Sequence, residues 1–494
     1  MRPSRIYSSL LTLCLCICCA ARPSLNIVAV VDGMRAEDVE KVLPYLNKGG
    51  LRTVCSEGQS YISQPRQEVY GGIETVVSLL SGTAPADNGI AMNTYMTPAD
   101  NSLHLALEDK SEAGIISRHQ LSPRPILTPL LADRFRFRFG KQAGIYAVGL
   151  DPQTTIALAG HSANGCCWLD EQQHLWATTT FYKQGLPPVA DEINLNGSIS
   201  QTLAKDWQPR LSINMYNSPT EQELQRGFLY SQSVYPLSTP AANTLVVNLA
   251  LALQRHYHLG KNADPDMLLL QFTVLPPDAE GDYISSAAAE DMYLCLNQDL
   301  GYLIEQVERS IGSENLQVTL IGMPRRGISP AALTDMGMPV KQFSTERAAA
   351  LSAAYLMALY GYEKWVLGGY GNTIYFNRPL IEKNKLSLST MQEQVADLLV
   401  EFEAVQAAYP LRQACEDPNL CRSLAKRWAG DVVFTLQKSW QLTYNEQHII
   451  DFVAEPNPAL PVYVWQGNAT GDTETKTKDI SVYDVQRIIA NTWK

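Results

Sequence analysis

LNIVAVVDGMR, residues Leu25–Arg35, is the stretch on which the fold turns. Leu25 to Val31 is apolar except for Asn26, and the run halts at Asp32 and Gly33. A short continuous apolar run closed by a turn signal is the pattern of a strand covered on both faces of a parallel sheet. Open α/β sheets gather ligands outside the carboxyl ends of their strands, so Asp32 is the first candidate functional residue.

Working outward, helical spacing runs from Glu37 to Leu46, with Gly49 and Gly50 as a stop. Further strands are expected at Ile145–Val148, Met267–Thr273, Val318–Ile321 and Val462–Trp465. Helices are expected at Ile73–Leu80, Ala241–Gln254, Ala289–Val307, Thr345–Leu359 and Met391–Ala408. Strands alternating with helices predict an α/β fold, a doubly wound, mainly parallel sheet flanked by helices. Residues 93–240 are rich in Pro, Gly, Asn, Ser and aromatics and read as an inserted cap over that sheet. Pro410–Arg422 and Gly467–Lys478 read as surface connections.

With 46% hydrophobic and 18% charged residues among 494, the chain is an ordinary globular protein with room for a large core. A net charge of -11 argues against a nucleic-acid partner, because such binding is dominated by Lys and Arg. Arg2 and Arg5 precede an apolar run, Leu10–Ala21, broken by Arg22 and Pro23. This is the layout of a signal peptide over residues 1–21, too short for a membrane span of about 20 apolar residues. Export to the periplasm or the cell exterior follows, with residues 22–494 as the mature domain and no transmembrane helix once the signal is removed. Of the cysteines beyond the signal, Cys415 and Cys421 are close enough in sequence to close a short loop. Cys295 reads as a buried helical residue, and Cys55, Cys166 and Cys167 stay open. None has the CxxC spacing of a structural zinc site.

Several blocks in order resemble the alkaline phosphatase superfamily, in particular its type I phosphodiesterase/nucleotide pyrophosphatase branch and the single-chain bacterial phosphatases near it. VVDGMR resembles the first metal-ligand motif. SGTAPADNGI, Ser81–Ile90, resembles the stretch after the nucleophile helix. AGHSANGCCWLD, Ala159–Asp170, with TTTFY, Thr178–Tyr182, resembles the bacterial phosphatases. Asp291, Tyr293, Leu296 and Asp299 fit the helix after the second metal motif, and PVYVWQG, Pro461–Gly467, the last sheet strand.

The resemblance implies two zinc ions clamping the attacking and leaving oxygens, and a Thr or Ser nucleophile at a helix N-terminus. Asp32 is the retained ligand. The nucleophile position, ten residues before Gly82, is Gly72, which has no hydroxyl. Thr75 and Ser78 follow it on the helix as displaced candidates. The second ligand pair falls on Pro276 and Glu280. The Asp-His pair of the third motif falls on Arg325 and Arg326, whose guanidiniums cannot ligate a metal and repel one. The last His falls on Ala459. Asp151 and Gln153 stand where the family has phosphate-contacting basic residues, while Asn93, beside the expected phosphate pocket, is retained. Of the seven histidines only His161 lies in a recognisable motif. His256 and His258 read as an exposed helix end, and His448 as a remnant of a family loop.

The reading that follows is an exported pseudo-phosphatase that keeps the fold, lacks nucleophile and most ligands, and binds or assembles in the bacterial cell envelope. Its partner is an unidentified protein or an anionic ligand, and no cofactor is expected. One alternative is a metal-dependent phosphomonoesterase or phosphodiesterase with rearranged ligands drawn from Asp32, Asp278 and Glu280, which would need zinc. Another is a protein that holds an anion in a pocket lined by Arg325 and Arg326.

Overall fold

The computed structural model describes residues 22–63, 72–98, 100–183, 185–228, 230–277, 286–323, 337, 341–437, 440–445, 448–449, 459–467 and 477–493, without the side chains of 445, 448 and 449. In chain order come β1 (Leu25–Asp32), β2 (Gln59–Ser63), the hairpin β3 (Thr94–Thr97) and β4 (Ser102–Leu105), and β5 (Gly114–Ile115). They are followed by β6 (Ile145–Gly149), β7 (Gly165–Leu169), β8 (Trp176–Thr179), β9 (Asp266–Thr273) and β10 (Leu316–Met323). A smaller unit then supplies β11 (Lys341–Ser344), β12 (Val366–Tyr370), β13 (Thr373–Phe376), β14 (Val405–Pro410), β15 (Val432–Leu436), β16 (Trp440–Asn445) and β17 (His448–Ile449). The chain returns as β18 (Leu460–Gln466) and β19 (Lys478–Ile480).

The large sheet runs β19-β2-β18-β10-β1-β9-β6-β7-β8-β5. Its centre, β10 to β7, is parallel throughout, and antiparallel strands flank it. Strand alternation sends Leu25, Ile27, Ala29 and Val31 into one core and Val28 and Val30 into the other. Helices Pro240–His256 and Ala287–Ile311 cover the first face; helices Ile73–Ser81, Leu131–Phe139, Pro152–Ala159 and Val485–Asn491 cover the second. The expected doubly wound sheet is therefore present.

Two expectations are corrected. The 93–240 stretch is not wholly an inserted cap, because β5 to β8 hydrogen-bond into the sheet itself. A separate unit lies at 341–449, where β12-β13-β15-β14 carries helices Thr345–Tyr360 and Leu388–Val400 over a core of its own. The helix expected to reach Ala408 ends at Val400, since residues 405–410 pair with β15 and Pro410 closes them. Cys415 and Cys421 form a disulfide, Cys295 is buried on its helix, and Cys166 and Cys167 on β7 point into opposite cores.

Candidate functional site

Asp32 ends β1 in register with Met323 of β10 and Thr273 of β9. The chain turns at once through Gly33, at φ +80°, where a side chain would run into Leu275. Its carboxylate is held from the next strand: Gln271 Nε2 donates to Asp32 Oδ2 at 2.7 Å. The other end of the same buried amide accepts from the backbone of Leu150 and Asp151, at 3.0 and 2.8 Å. Gln271 thus ties Asp32 to the end of β6.

Helix Ile73–Ser81 packs on the second face of the sheet, and its first amides have no partner within the helix. Here the chain supplies partners. Gly72 N–H donates to Glu74 Oε1 at 2.9 Å, and Ile73 N–H to Asn93 Oδ1 at 2.8 Å. A methyl group built on Gly72 would lie 2.6 Å from Glu74 Oε2, 2.8 Å from Asn93 Oδ1 and 3.0 Å from Asn93 Nδ2. Gly72 itself is extended, with φ -101° and ψ -156°, a conformation open to any residue. A side chain here would have to displace the ends of Glu74 and Asn93, which occupy the space beside Gly72. Thr75 and Ser78 are buried, and Ser78 takes the Asn88 amide at 3.3 Å, so neither hydroxyl faces a cleft.

The remaining candidates have structural duties. Asn93 O accepts from Gln153 Nε2 at 3.2 Å, while Gln153 Oε1 takes Leu107 N–H at 3.0 Å. Asp151 caps helix Pro152–Ala159 through Thr154 N–H at 2.7 Å. Pro276 is buried just past β9, and Ala459 directly precedes β18. Asp278, Glu280, Arg325 and Arg326 lie outside the described residues, as does the His448 side chain. His161 is committed to Asp133, Nδ1 to Oδ2 at 2.9 Å, and His256 and His258 are exposed.

Zinc sites take three or four nitrogen, sulfur or oxygen donors each. Of the inherited ligand positions, Asp32 and Glu280 keep carboxylates, and Gln271 already engages the first; Pro276 and Ala459 have no side-chain donor, and Arg325 and Arg326 carry positive charge. Among the described residues no group of three or more His, Cys, Asp or Glu could hold an ion. Among the described residues, those present do not fit the zinc pair.

Sequence reasoning missed Asp291 as a structural hub. Fully buried, it accepts from Trp207 Nε1 at 2.7 Å, Tyr216 OH at 2.6 Å and Arg210 N–H at 2.8 Å. It also missed Glu223, which accepts from the Ala287 and Ala288 amides at 3.0 and 2.8 Å and so caps the long helix Ala287–Ile311.

A large, mainly parallel sheet flanked by helices, with an acid at the end of a central strand, is the alkaline-phosphatase-like arrangement. A family model described as type I phosphodiesterase / nucleotide pyrophosphatase matches residues 26–453, and the chain belongs to that family. Alkaline phosphatase PafA of Elizabethkingia meningoseptica is 23% identical over 404 residues, 76% of this chain and 72% of that protein. Alkaline phosphatase PhoV of Synechococcus elongatus is 23% identical over 459 residues, 86% of this chain and 82% of its own length. The crystal structure of wild-type PafA matches with a TM-score of 0.82 at 19% identity, covering 96% of each chain. That of phosphonoacetate hydrolase from Sinorhizobium meliloti with phosphonoformate matches at 0.51 and 12%, again over 96% of each. At such identities the structural likeness carries the fold alone.

Proposed function

We propose that this chain is an exported family member that does not hydrolyse phosphate esters and acts in the cell envelope by binding or assembly. The observation that carries the reading is at Gly72: the nucleophile position has no hydroxyl, and Glu74 and Asn93 occupy both its space and the helix amides beside it. Hydrolysis needs an oxygen nucleophile within about 3–3.5 Å of phosphorus and donors left free for the developing charge. Both are taken out at once here. Purified protein supplied with zinc is expected to give no turnover of aryl phosphate mono- and diesters above a heat-denatured control, and no difference from Asp32→Ala. Turnover that disappears in Asp32→Ala would establish the hydrolase alternative instead.

A further inference from the structure

The overall negative charge hides one basic run, RFRFRFGK, Arg134–Lys141. From Arg134 to Leu150 the sequence holds four basic residues and no Asp or Glu. Helix Leu131–Phe139 buries Leu131, Ala132, Phe135 and Phe139, the last two edge-on to Trp493. Two residues past Phe135, about 200° around the helix, Phe137 stands 94% exposed. Of the cations around it, Arg136 is spent on the carbonyls of Gly140, Lys141, Ala143 and Ser162. Arg134 and Arg138 are exposed and make long hydrogen bonds, to Ser81 O at 3.3 Å and Trp493 O at 3.4 Å, Arg138 also lying over the Phe139 ring at 5.5 Å, and Lys141 is exposed. The acid on this helix, Asp133, is engaged by His161 and Ser162.

Arg22, also exposed, sits over the Phe139 ring at 4.8 Å. The chain therefore enters the domain beside this helix, and the sequence that precedes Arg22 contains the apolar run Leu10–Ala21. The helix leads into the amino end of β6, so its C-terminal turn lies at the end of the parallel strands opposite Asp32.

We propose that this face docks on an anionic lipid surface, with Phe137 entering the headgroup layer and Arg134, Arg138 and Lys141 meeting lipid phosphates. An exposed aromatic with Arg134, Arg138 and Lys141 exposed within four residues of it suits that boundary, where one apolar residue and several basic ones act together. A chain of net charge -11 is otherwise repelled from such a surface, so attraction through this patch orients it. Docked this way, the Asp32 end of the sheet faces water. The proposal rests on the envelope reading only for the presence of a membrane, and vesicle binding is measured without reference to hydrolysis.

The test uses the protein as exported, sedimented with phosphatidylcholine vesicles with and without about one-third phosphatidylglycerol, at low and high salt. The readout is the ratio of anionic to neutral binding. Lys141→Glu reverses one charge and is expected to lower that ratio about 30-fold at low salt, about fivefold per unit of charge. Phe137→Trp should show blue-shifted emission relative to wild type on anionic vesicles only. Both sites are exposed, so the melting temperature should stay constant. A ratio of one, indifference to Lys141→Glu, an emission from the Phe137→Trp variant that anionic vesicles leave unshifted, or displacement from vesicles by stoichiometric duplex DNA overturns the proposal.

Discussion

Replacing Gly72 by Ala tests whether the nucleophile position is filled as described. The added methyl would stand 2.6 Å from Glu74 Oε2 and 2.8 Å from Asn93 Oδ1, closer than carbon and oxygen tolerate, so both side chains must swing away. Their bonds to the Gly72 and Ile73 amides go with them. The neutral bond contributes about 1 kcal/mol and the one to the carboxylate about 1.5–3 kcal/mol. Water reaching the half-buried Gly72 returns part of that, and Ala gains about 0.4–1 kcal/mol over Gly because the local φ and ψ suit it. The net expectation is a loss of about 1–3 kcal/mol, read from urea unfolding followed by tryptophan fluorescence. Asn93→Ala alone should cost about 1 kcal/mol through the lost cap. The double variant should cost clearly less than the two singles added, because removing Asn93 relieves part of the crowding. A Gly72→Ala protein as stable as wild type, or strictly additive losses, would mean that Glu74 and Asn93 do not fill this space.

The His161–Asp133 pair should make stability depend on pH in a bounded window. The bond to Asp133 raises the His161 pKa above 6.5, against burial; burial pushes the Asp133 carboxyl up, but bonds from His161, the Leu130 amide and Ser162 outweigh it and hold it below 3.8. The histidine's contribution is whole below 6.5 and lost as pH rises through its folded value; the aspartate's is whole above 3.8 and lost as pH falls through its own. Urea midpoints should therefore separate wild type from His161→Asn most between about pH 4 and 6.5, by about 1 kcal/mol for a partly exposed pair, and less on either side. At Asp299, burial pushes the carboxyl up to about 7, against the bond from Thr244 and the charge of Arg210. A folded pKa above the unfolded one makes stability fall as pH rises from about 4 to 7, and Asp299→Asn should flatten that slope and exceed wild type above about pH 7 by about 2 kcal/mol. An unchanged slope in the variant would remove Asp299 as its source.

Much of the sheet is legible in the sequence because β1, β9 and β10 are buried along nearly their whole length, and continuous apolar runs report that directly. The strands of the 93–240 stretch are harder to see. β7 and β8 are short, include Gly165, Thr178 and Thr179, and sit between turn-rich loops, so composition there resembles an insertion. Helix periodicity running through Met391–Ala408 conceals β14, whose identity comes from pairing with β15 more than twenty residues later. At the candidate site, Gly72 and Asp32 follow from position within motifs. The filling of Gly72 does not, because it depends on Asn93 reaching back past two helices, Ile73–Ser81 and Pro85–Asn88, and on the rotamer of Glu74. Gln271 is likewise invisible as a partner of Asp32 until β1 and β9 are in register. The basic face around Phe137 escapes a reading based on net charge, since four cations among fifty acids do not move the total.

Metal content tests the central claim most directly. The protein is incubated with excess zinc, freed of unbound metal and measured by elemental analysis beside Asp32→Ala. Little or no zinc is expected, equal in the two proteins, because the inherited ligand positions no longer supply enough donors for an ion. About two equivalents retained by wild type and lost from Asp32→Ala would show a working dinuclear centre and contradict the non-hydrolytic reading.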